Sequence, residues 1–452
     1  MPWLVAWLVF LPVVLLRAGS LGETDTFWEI RTGLLTIQQG SIPTVDPFSW
    51  MIHGQPWTLN SWGFNVAIAA FYRLAGLPGV ALACALLVAT VGAMVLLLAH
   101  RLSASPVVTA TLLVLASPLL IGWLSARPQL VDYLGVLVLT MLMRSLVEGR
   151  ASARGLLAMG VLTVVWVNLH AGVLLGVAIV AAITVMAFAR RRTRDRSGWC
   201  LAALITVAAS SLINPYGIGL VGQTVRVKGA STGIIDEWAH LDLTNPTQMI
   251  MMVLGLAALV VAVRRRDTAF AGALGVAVLG SMNAIRILPI LVLLALPVLA
   301  AFASQRPVLG YLHSRRLVLA PGAMAGMVAL LWLTVPSVGH IGRPDPAIYP
   351  TRVLQDIPRN CRLFNSYLLG GFVLLERPDV PVSLDSRNDL YGAERVAANA
   401  GLLRGQGDIE KGLSGAGCVL IRPDAGLAQR LRESSQWELK SSEPAAALFL
   451  RR

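Results

Sequence analysis

The sequence predicts an α-helical polytopic membrane protein with about eleven transmembrane helices and a small C-terminal extracytoplasmic α/β domain. Of its 452 residues, 56% are hydrophobic and 13% are charged, whereas soluble globular proteins carry about 25% charged residues. Long apolar runs recur as far as Pro336 and stop there, and basic residues gather between the runs. A soluble globular protein is therefore excluded.

The predicted spans follow from the lengths of the apolar runs. A helix crosses the hydrocarbon layer with about 20 apolar residues, or with fewer where the layer is thin. A boundary near Pro336 gives a transmembrane domain of residues 1–336, with a long first outer loop at 21–77, and a soluble domain of residues 337–452. The runs that qualify as spans are 3–20, 78–99, 106–122, 129–146, 155–171, 172–189, 199–213, 246–263, 268–282, 285–303 and 316–336.

Basic residues orient these spans. The positive-inside rule assigns Arg-rich loops to the cytoplasm, and the loops around Arg144, Arg190–Arg196, Arg264–Arg266 and Arg306 all fall on one side. The N-terminus is then cytoplasmic, and the first loop and the C-terminal domain lie outside the plasma membrane. The first 342 residues carry 22 basic and 11 acidic residues, so they hold most of the net charge of +13. We interpret this excess as a topology signal and predict no nucleic-acid partner.

Three features near the N-terminus have more than one structural interpretation. Segment 3–20 is predicted to be a retained span, although its small residues at the end also fit a cleaved signal peptide. Trp62–Leu74 is placed as an interfacial helix; if it crosses instead, another crossing must be absent. The tryptophans of the first loop are interpreted mainly as an aromatic belt at the membrane interface, and they are Trp28, Trp50, Trp57 and Trp62.

The four cysteines do not have the spacing of a metal cluster. Cys84 and Cys200 lie in predicted spans, and Cys361 and Cys418 lie in the C-terminal domain. In an oxidising compartment the second pair can form a disulfide, or both can remain free buried thiols. The sequence leaves both possibilities open.

Polar residues collect on the outer side of the predicted topology. Of the 11 acidic residues before residue 343, only Glu148, Asp195 and Asp267 are predicted to be cytoplasmic. Ionisable and amide groups at membrane depth are costly and usually line a site or a pathway. We therefore predict one outward-facing polar cavity, with substrate-binding candidates Asp46, Arg127, Gln129, Asn168, His170, Asn214, Tyr216, Glu237, Trp238 and Arg286.

Each of these residues also has a structural interpretation. Asn214-Pro-Tyr-Gly217 is typical of a helix end, and His170 fits a buried, hydrogen-bonded histidine. Arg286 fits a side chain that snorkels to the interface. Asp46-Pro-Phe-Ser49 fits an Asx-type turn. The shared outer side favours function for the set as a whole.

Two carboxylates just beyond the first span form the most specific local feature. Glu23 and Asp25 precede the amphipathic segment Phe27–Arg31, at the depth of a lipid headgroup. Asp25 also fits a solvated acid at a helix N-terminus. We favour a catalytic role because the other polar candidates face the same side.

The C-terminal domain is predicted to be a small α/β fold. Alternating and buried apolar runs indicate strands at 361–364, 380–384, 419–421 and 447–450. Helical patterns occur near 393–404 and 424–434. We expect this domain to serve as a lid or to dock the acceptor, in preference to a catalytic role. Asp385, Arg387 and Asp389 are nevertheless further substrate-binding candidates at the cavity mouth.

Together these features resemble the GT-C superfamily of glycosyltransferases, which includes protein O-mannosyltransferases, oligosaccharyltransferase catalytic subunits and aminoarabinose transferases. The chain is more closely similar to a family of uncharacterised bacterial membrane proteins grouped with GT-C. The similarity spans most of the chain and rests on Asp25-Thr-Phe-Trp28, Arg31-Thr-Gly33, Ile42-Pro43, Asp46-Pro-Phe-Ser49, Trp57, Trp62, Asn168-Leu-His170, Asn214-Pro-Tyr-Gly217, Glu237-Trp238, Phe364-Asn365, Gly370-Gly371 and Asp385-Ser-Arg387-Asn-Asp389-Leu-Tyr391.

The resemblance implies sugar transfer from a polyprenyl-phosphate donor to a cell-envelope glycan, lipid or protein, outside the cytoplasm and with inversion. Asp25, with Glu23 as the substitute, would accept the proton of the acceptor hydroxyl. Arg286 and Arg127 would meet the departing phosphate, a task that His170 could share. Asn168, Tyr216 and Glu237 would bind sugar hydroxyls. No cofactor is predicted; a divalent metal, which some relatives use near the first-loop acids, is possible.

The sequence departs from the family pattern at two places. Thr24 separates two acids that are adjacent in many GT-C enzymes, and Ser386 stands where many relatives of the closer family have glycine. The first departure leaves the choice of base open. A transporter or flippase of a lipid-linked precursor, and a non-catalytic envelope assembly protein, are the alternative functions; no internal repeat typical of transporters is evident.

Overall fold

The computed structural model describes residues 2–8, 10–18, 20–224, 236–305, 332, 335 and 338–452. The chain divides into two compact units. The membrane unit takes its described residues from Met1–Gly19, Leu82–Val221 and Asp236–Ile341. The outer unit takes them from Ser20–Ala81, Gly222–Ile235 and Gly342–Arg452, so it combines most of the first loop with the C-terminal domain. The predicted span 316–336 and the boundary near Pro336 lie outside the described residues, apart from isolated positions.

Helices build the membrane unit. Most of its apolar helices have no polar face, which is typical of segments that lie in a core or in lipid. The helix at Leu288–Ala303 is buried along nearly its whole length and is the central helix of this unit. In chain order the helices are α1 (Pro2–Leu8), α2 (Leu11–Ala18), the end of α4 (Trp62–Arg101), α5 (Pro106–Leu120), α6 (Gln129–Val147), α7 (Ala153–Leu169), α8 (Val173–Ala189), α9 (Ser197–Ser210), α10 (Pro246–Arg264), α11 (Thr268–Asn283) and α12 (Leu288–Ala303).

Four helices among the described residues are long and apolar enough to cross a membrane, which makes this a membrane protein. They are Trp62–Arg101, Gln129–Val147, Pro246–Arg264 and Ile285–Ala303. Four shorter apolar helices, α5, α7, α8 and α11, accompany them. The predicted count of about eleven spans is therefore not confirmed, and the first predicted span, 3–20, is divided into α1 and α2.

Side-chain caps and charges fix the helix ends of the membrane unit. Asn245 and Asp267 accept hydrogen bonds from the first free N–H groups of α10 and α11, which is the usual way to satisfy those donors. Nε of Arg144, at the end of α6, donates to Oδ2 of Asp267 at 2.9 Å. The end of α6 and the start of α11 are thus held together by an ion pair, within the group of charges predicted to be cytoplasmic.

The outer unit begins with the amphipathic helix α3 (Thr24–Gln39), which follows the short strand β1 (Ser20–Leu21). Strand β1 pairs in parallel with β2 (Arg343–Pro344). Helix α4 is interrupted at Ala75 and Gly76, whose backbone angles are not helical. The break separates segment 62–74 from the predicted span that begins at 78.

A four-stranded sheet forms the core of the C-terminal part. Its strand order is β3 (Leu363–Asn365), β4 (Cys418–Ile421), β6 (Ala446–Arg451) and β5 (Trp437–Glu443). Strands β3 and β4 are parallel, and the other pairs are antiparallel. Around the sheet lie α13 (Gly370–Glu376), α14 (Asn388–Leu403), α15 (Ile409–Gly412) and α16 (Gly426–Glu433).

Two details of this domain differ from the prediction or decide an open alternative. Segment 380–384 is not a strand: Val382 forms only isolated bridges, with Leu363 and with Ser49, and Pro381 next to it cannot donate a ladder hydrogen bond. Cys361 and Cys418 form a disulfide, whereas Cys84 and Cys200 are free and buried.

Candidate active site

Charged side chains of the membrane unit converge on Tyr133, in the second turn of α6. Tyr133 lies within electrostatic reach of Asp132, Glu237, Arg286 and Arg127. Arg127 precedes α6, Glu237 lies in a 3₁₀ turn at Asp236–Trp238, and Arg286 lies in another at Ile285–Ile287. We call these five residues, with His170 and Trp238, the membrane cluster. Residues predicted from separate outer turns are thus brought together.

Asp132 fixes one side of the membrane cluster. Its Oδ2 lies 2.7 Å from Nδ1 of His170, and its Oδ1 accepts a hydrogen bond of 2.8 Å from Nε1 of Trp166. A Cβ atom at Gly172 would stand 2.2 Å from Oδ1 of Asp132, so the carboxylate occupies space that only glycine leaves. Asp132 and His170 side chains are 9% and 12% exposed, which leaves the imidazole at the edge of the buried region.

The two arginines of the membrane cluster have different partners. Arg127 forms an ion pair with Glu237. The guanidinium of Arg286 stacks over the ring of Trp238 at 4.4 Å, and among the described residues it has no ion pair or hydrogen bond with a carboxylate. Stacking uses the face of the guanidinium and leaves its N–H donors in the plane. Arg286 is therefore the better prepared of the two to bind a phosphate.

The amide candidates mainly satisfy helix ends. Nδ2 of Asn168 donates to the carbonyl oxygens of Val164 and Ile213, at 2.8 and 2.9 Å. Asn214 accepts a hydrogen bond from the backbone N–H of Tyr216 at 2.9 Å, as its structural interpretation requires. Oε1 of Gln129, in contrast, is buried without a hydrogen-bond partner among the described residues. Substrate binding by Asn168, Asn214, Tyr216 and Gln129 remains a prediction.

The outer unit encloses a second set of candidates. Arg387 is fully buried and forms a two-bond pair with Asp385, with Nε–Oδ1 and Nη2–Oδ2 distances of 2.8 and 2.7 Å. Its Nη1 lies 2.8 Å from Oδ1 of Asp46, which is also fully buried. Tyr391 donates its hydroxyl hydrogen to Oδ2 of Asp385 at 3.0 Å. We call Asp46, Asp385, Arg387 and Tyr391 the buried ion network.

Aromatic rings complete the enclosure of this network. Trp57 and Phe48 pack against the Arg387 guanidinium, with distances of 4.6 and 5.1 Å to the ring centroids. Burial alone would lower the pKa of Arg387, but Asp385 and Asp46 hold it well above its ordinary value. Asp46, Asp385 and Arg387 thus balance one another's charges, although Nη1 of Arg387 makes no hydrogen bond among the described residues. Trp57 lies inside the unit instead of forming an exposed belt.

Asp389 lies beside the buried ion network and remains partly exposed. Burial raises the pKa of its carboxyl to about 6, while the positive charge of Arg387 opposes the shift. A hydrogen bond with the side chain of Trp57 also favours the charged form. Of the three candidates in the C-terminal domain, Asp389 is the one that reaches solvent.

The first-loop acids lie at the start of α3. Asp25 is in the first turn and partly exposed, and Glu23 precedes the helix. Nε1 of Trp28 donates both to Oδ1 of Asp25, at 3.2 Å, and to Oγ of Ser386, at 3.1 Å. Ser386, the departure from the family's glycine, therefore helps to hold the tryptophan that orients Asp25.

Close packing explains the glycine motifs near these acids. Helix α13 packs against α3, and a Cβ atom at Gly371 would stand 2.7 Å from the carbonyl oxygen of Thr24. Gly33 is similarly pressed against the backbone of Asn65. Both glycines allow α3 to approach its neighbours closely enough to fix the position of Asp25.

Comparison with solved structures agrees with this architecture. The archaeal oligosaccharyltransferase AglB from Archaeoglobus fulgidus, in complex with an inhibitory peptide and a dolichol-phosphate, matches with a TM-score of 0.59 and 11% identity; the match covers 93% of this chain and 69% of that one. The chain has a GT-C fold. The apo form of the oligosaccharyltransferase of the same organism matches with the same TM-score and coverage, at 10% identity. No protein-family model and no curated protein matches the sequence.

The resemblance to GT-C proteins expected from the sequence is thereby confirmed at the level of the fold. Sequence reasoning did not select Asp132, Tyr133 or Ser386 as site residues. A carboxylate in the first turn of an apolar helix is a functional signal in its own right, and it could have identified Asp132. Within the described residues, no group of three His, Cys, Asp or Glu side chains is placed to hold a metal ion, so no step is assigned to one.

Proposed function

We propose that the protein is a membrane glycosyltransferase that transfers a sugar from a polyprenyl-phosphate donor to a cell-envelope acceptor, with inversion at the anomeric carbon. The GT-C fold supports a membrane enzyme with a lipid-linked donor. The dolichol-phosphate in the complex of the A. fulgidus enzyme, itself a long-chain isoprenoid phosphate, supports the donor class. The acceptor is a glycan, a lipid or a protein.

Arg286 is the observation that carries this proposal. It is a partly buried cation in the membrane cluster, stacked on Trp238 and without a carboxylate partner among the described residues. A cation held in this way, at the end of apolar helices, suits a phosphate attached to a lipid chain. Arg127 supplies a second positive charge, although Glu237 balances it.

The reaction is a single displacement. The acceptor oxygen forms a bond to the anomeric carbon while the bond from that carbon to the phosphate oxygen breaks, and its electron pair passes to the phosphate. The acceptor's proton passes to a carboxylate, for which Asp25 is the first choice and Glu23 the second. Growing charge on the phosphate is stabilised by Arg286, because a positioned cation acts most strongly where charge develops.

The proposed topology puts the outer unit outside the plasma membrane, with the N-terminus in the cytoplasm. The Cys361–Cys418 disulfide supports an oxidising compartment for this unit. The lipid donor and membrane lipids are then the partners of the membrane unit. A divalent metal ion is not part of the proposed reaction.

A deletion strain complemented with variants tests the function. We expect the strain to accumulate a polyprenyl-phosphate sugar and to make a truncated glycan, lipid or protein product, and wild-type protein to reverse both. Asp25→Asn should fail to restore transfer while remaining folded in the membrane. The matched control is Asp424→Asn, since Asp424 is exposed and, among the described residues, its ion-pair partner is Arg422.

The outcomes separate the competing functions. Transfer by Asp25→Asn but not by Glu23→Gln would move the base to Glu23, and transfer by both would overturn the enzymatic function. A flippase would leave the lipid-linked sugar on the cytoplasmic face with no loss of transfer in detergent. Unchanged lipid and product pools would favour the non-catalytic assembly protein.

A further inference from the structure

The contacts of Asp132 determine which nitrogen of His170 carries the proton. Oδ1 of Asp132 accepts a hydrogen bond from Nε1 of Trp166 at 2.8 Å, and Oδ2 lies 2.7 Å from Nδ1 of His170. The tryptophan indole is only a donor, so it always occupies one acceptor. Because an ionised carboxylate has no hydrogen to offer, Nδ1 of His170 must carry the proton.

The opposite nitrogen of the ring is therefore the one that can act on a ligand. A neutral imidazole with its proton on Nδ1 presents a lone pair at Nε2. Among the described residues, Nε2 of His170 has no hydrogen-bond partner. The side chain is 12% exposed, so a ligand can reach part of it.

We infer that Asp132 is a positioning residue that fixes this tautomer, and that His170 uses the Nε2 lone pair to accept a hydrogen bond from a hydroxyl of the sugar substrate. The role differs from a share in binding the phosphate, because in this tautomer Nε2 carries no proton to donate to an anion and the Nδ1 proton is already donated to Asp132. The assignment of a sugar hydroxyl as the ligand rests on the proposed function, whereas the assignment of the tautomer rests on the contacts of Asp132 alone.

The surroundings of His170 agree with a hydroxyl ligand. The cations of the membrane cluster are Arg127 and Arg286, which already provide for the phosphate, and the Asp132 carboxylate is held rigidly by Trp166 and by the absence of a side chain at Gly172. A fixed acceptor in the same cluster as two arginines suits a sugar phosphate, whose hydroxyls lie close to its anionic group. Polar sites of this kind reject ligands that lack the matching donor.

Asp132→Asn gives a sharp test because an amide has one acceptor instead of two. The Trp166 N–H takes the amide oxygen, so the amide NH₂ group faces Nδ1 of His170. Nδ1 then becomes an acceptor, and the proton moves to Nε2. The double variant Asp132→Asn with Trp166→Phe removes the competing donor, which frees the amide oxygen to turn towards Nδ1 and restores the original tautomer.

Nitrogen-15 NMR of histidine-labelled protein reads the tautomer directly, since protonated and bare ring nitrogens have different shifts. The chain has six histidines, and His170→Gln identifies the signal of His170. In the wild type, at a pH about two units above the ordinary histidine pKa, we expect a proton on Nδ1 and none on Nε2. We expect the reverse in Asp132→Asn, and the wild-type pattern in the double variant and in Trp166→Phe alone.

Transfer assays with the polyprenyl-phosphate sugar purified from the deletion strain test the hydroxyl. Asp132→Asn should lower kcat/KM about 10- to 100-fold, mainly by raising KM, because an unmatched polar group weakens binding by that order. The double variant should recover most of the loss, although Trp166→Phe alone brings no gain. A merely structural role of Asp132 would give two additive losses instead.

Several results would overturn the inference. The first is a His170 ring that carries a proton on Nε2, or on both nitrogens, in the wild type. The second is an unchanged tautomer in Asp132→Asn, or a changed tautomer with an unchanged KM. The third is a divalent ion that the wild type requires and that shifts the Nε2 signal, which would assign the lone pair to a metal. The NMR measurement needs no substrate. Its failure is thus distinct from failure of the proposed function, in which wild-type protein would transfer no sugar.

Discussion

Each compact unit holds arginines beside carboxylates and tryptophans, but the two sets are built differently. In the outer unit, Arg387 is fully buried and shared between Asp385 and Asp46. In the membrane unit, Arg127 and Glu237 remain 20% and 25% exposed, and Arg286 stacks on Trp238 without a carboxylate. A closed set of charges holds a fold together, whereas an incompletely matched set can still bind a charged ligand.

The largest expected effect comes from breaking the buried ion network. Arg387→Met should leave Asp385 and Asp46 as buried, uncompensated charges and destabilise the outer unit by about 3–5 kcal/mol. Protease sensitivity of the outer unit and loss of folded protein on gel filtration would report it. Arg387→Lys should rescue only partly, because an ammonium group cannot reproduce the two-bond pair with Asp385.

The comparison would fail if Arg387→Met protein were as stable as wild type but inactive. That result would assign Arg387 to substrate binding. A charge-free triple variant, with Asp46→Asn and Asp385→Asn added, should recover much of the lost stability, because the cost lies in the unpaired carboxylates.

The second prediction concerns the disulfide of the same unit. Replacing both Cys361 and Cys418 by alanine opens a loop of sequence separation 57 and should lower the stability of the outer unit by about 2–4 kcal/mol. Thermal denaturation of the purified variants measures the effect. Cys200→Ala is the matched control: Cys200 is as buried as Cys418 but free, and its replacement should leave the outer unit unchanged.

How much of the fold and of the candidate site the sequence predicts depends on how far apart the interacting residues lie along the chain. The sequence predicted the turn between two helices at His170–Gly172 and the strands at 419–421 and 447–450. Each leaves a local pattern of apolar residues and glycine. Strand β5 was missed: it presents most side chains to water, as an edge strand, and so lacks an alternating apolar pattern.

Contacts between residues far apart in the chain were beyond the sequence. The motifs around Asp46 and Asp385 were recognised separately, but nothing local shows that both carboxylates meet Arg387. The pairing of Asp132 with His170 was hidden for the same reason. Both acids look alike in one dimension, and only the fold makes one a member of a closed network and the other a support for a histidine.

The third prediction tests the incompletely paired charges of the membrane cluster. Arg286→Gln should reduce transfer about 100-fold, as expected when one donor that stabilises developing charge is removed, while the thermal stability of the membrane unit stays unchanged. Arg265→Gln is the matched control, because Arg265 also lies over an aromatic ring, Phe302 at 5.7 Å, among the charges predicted to be cytoplasmic. Equal losses in the two variants would show that stacking, and not phosphate binding, is what matters.

The smallest effect is expected at Asp389, which lies beside the closed set but reaches solvent. Its folded pKa is about 6, against about 3.9 in an unfolded chain. The folded state therefore holds the proton more tightly, and the stability of the outer unit should fall as the pH rises from about 4 to 6 and then level off. Asp389→Asn should remove this slope and stabilise the unit at neutral pH by about 1 kcal/mol, less than full burial would give because the group is partly exposed.

Denaturation followed by tryptophan fluorescence between about pH 4 and 8, a range that includes the roughly two pK units of the shift, measures this slope. The control has the opposite sign: Arg422 lowers the pKa of Asp424, so Asp424→Asn should not stabilise the unit at neutral pH. If Asp389→Asn instead weakens the outer unit, the Asp389 carboxylate is a working partner of Arg387 and Trp57. The closed set would then extend to the surface, and the contrast between the two units would be one of degree.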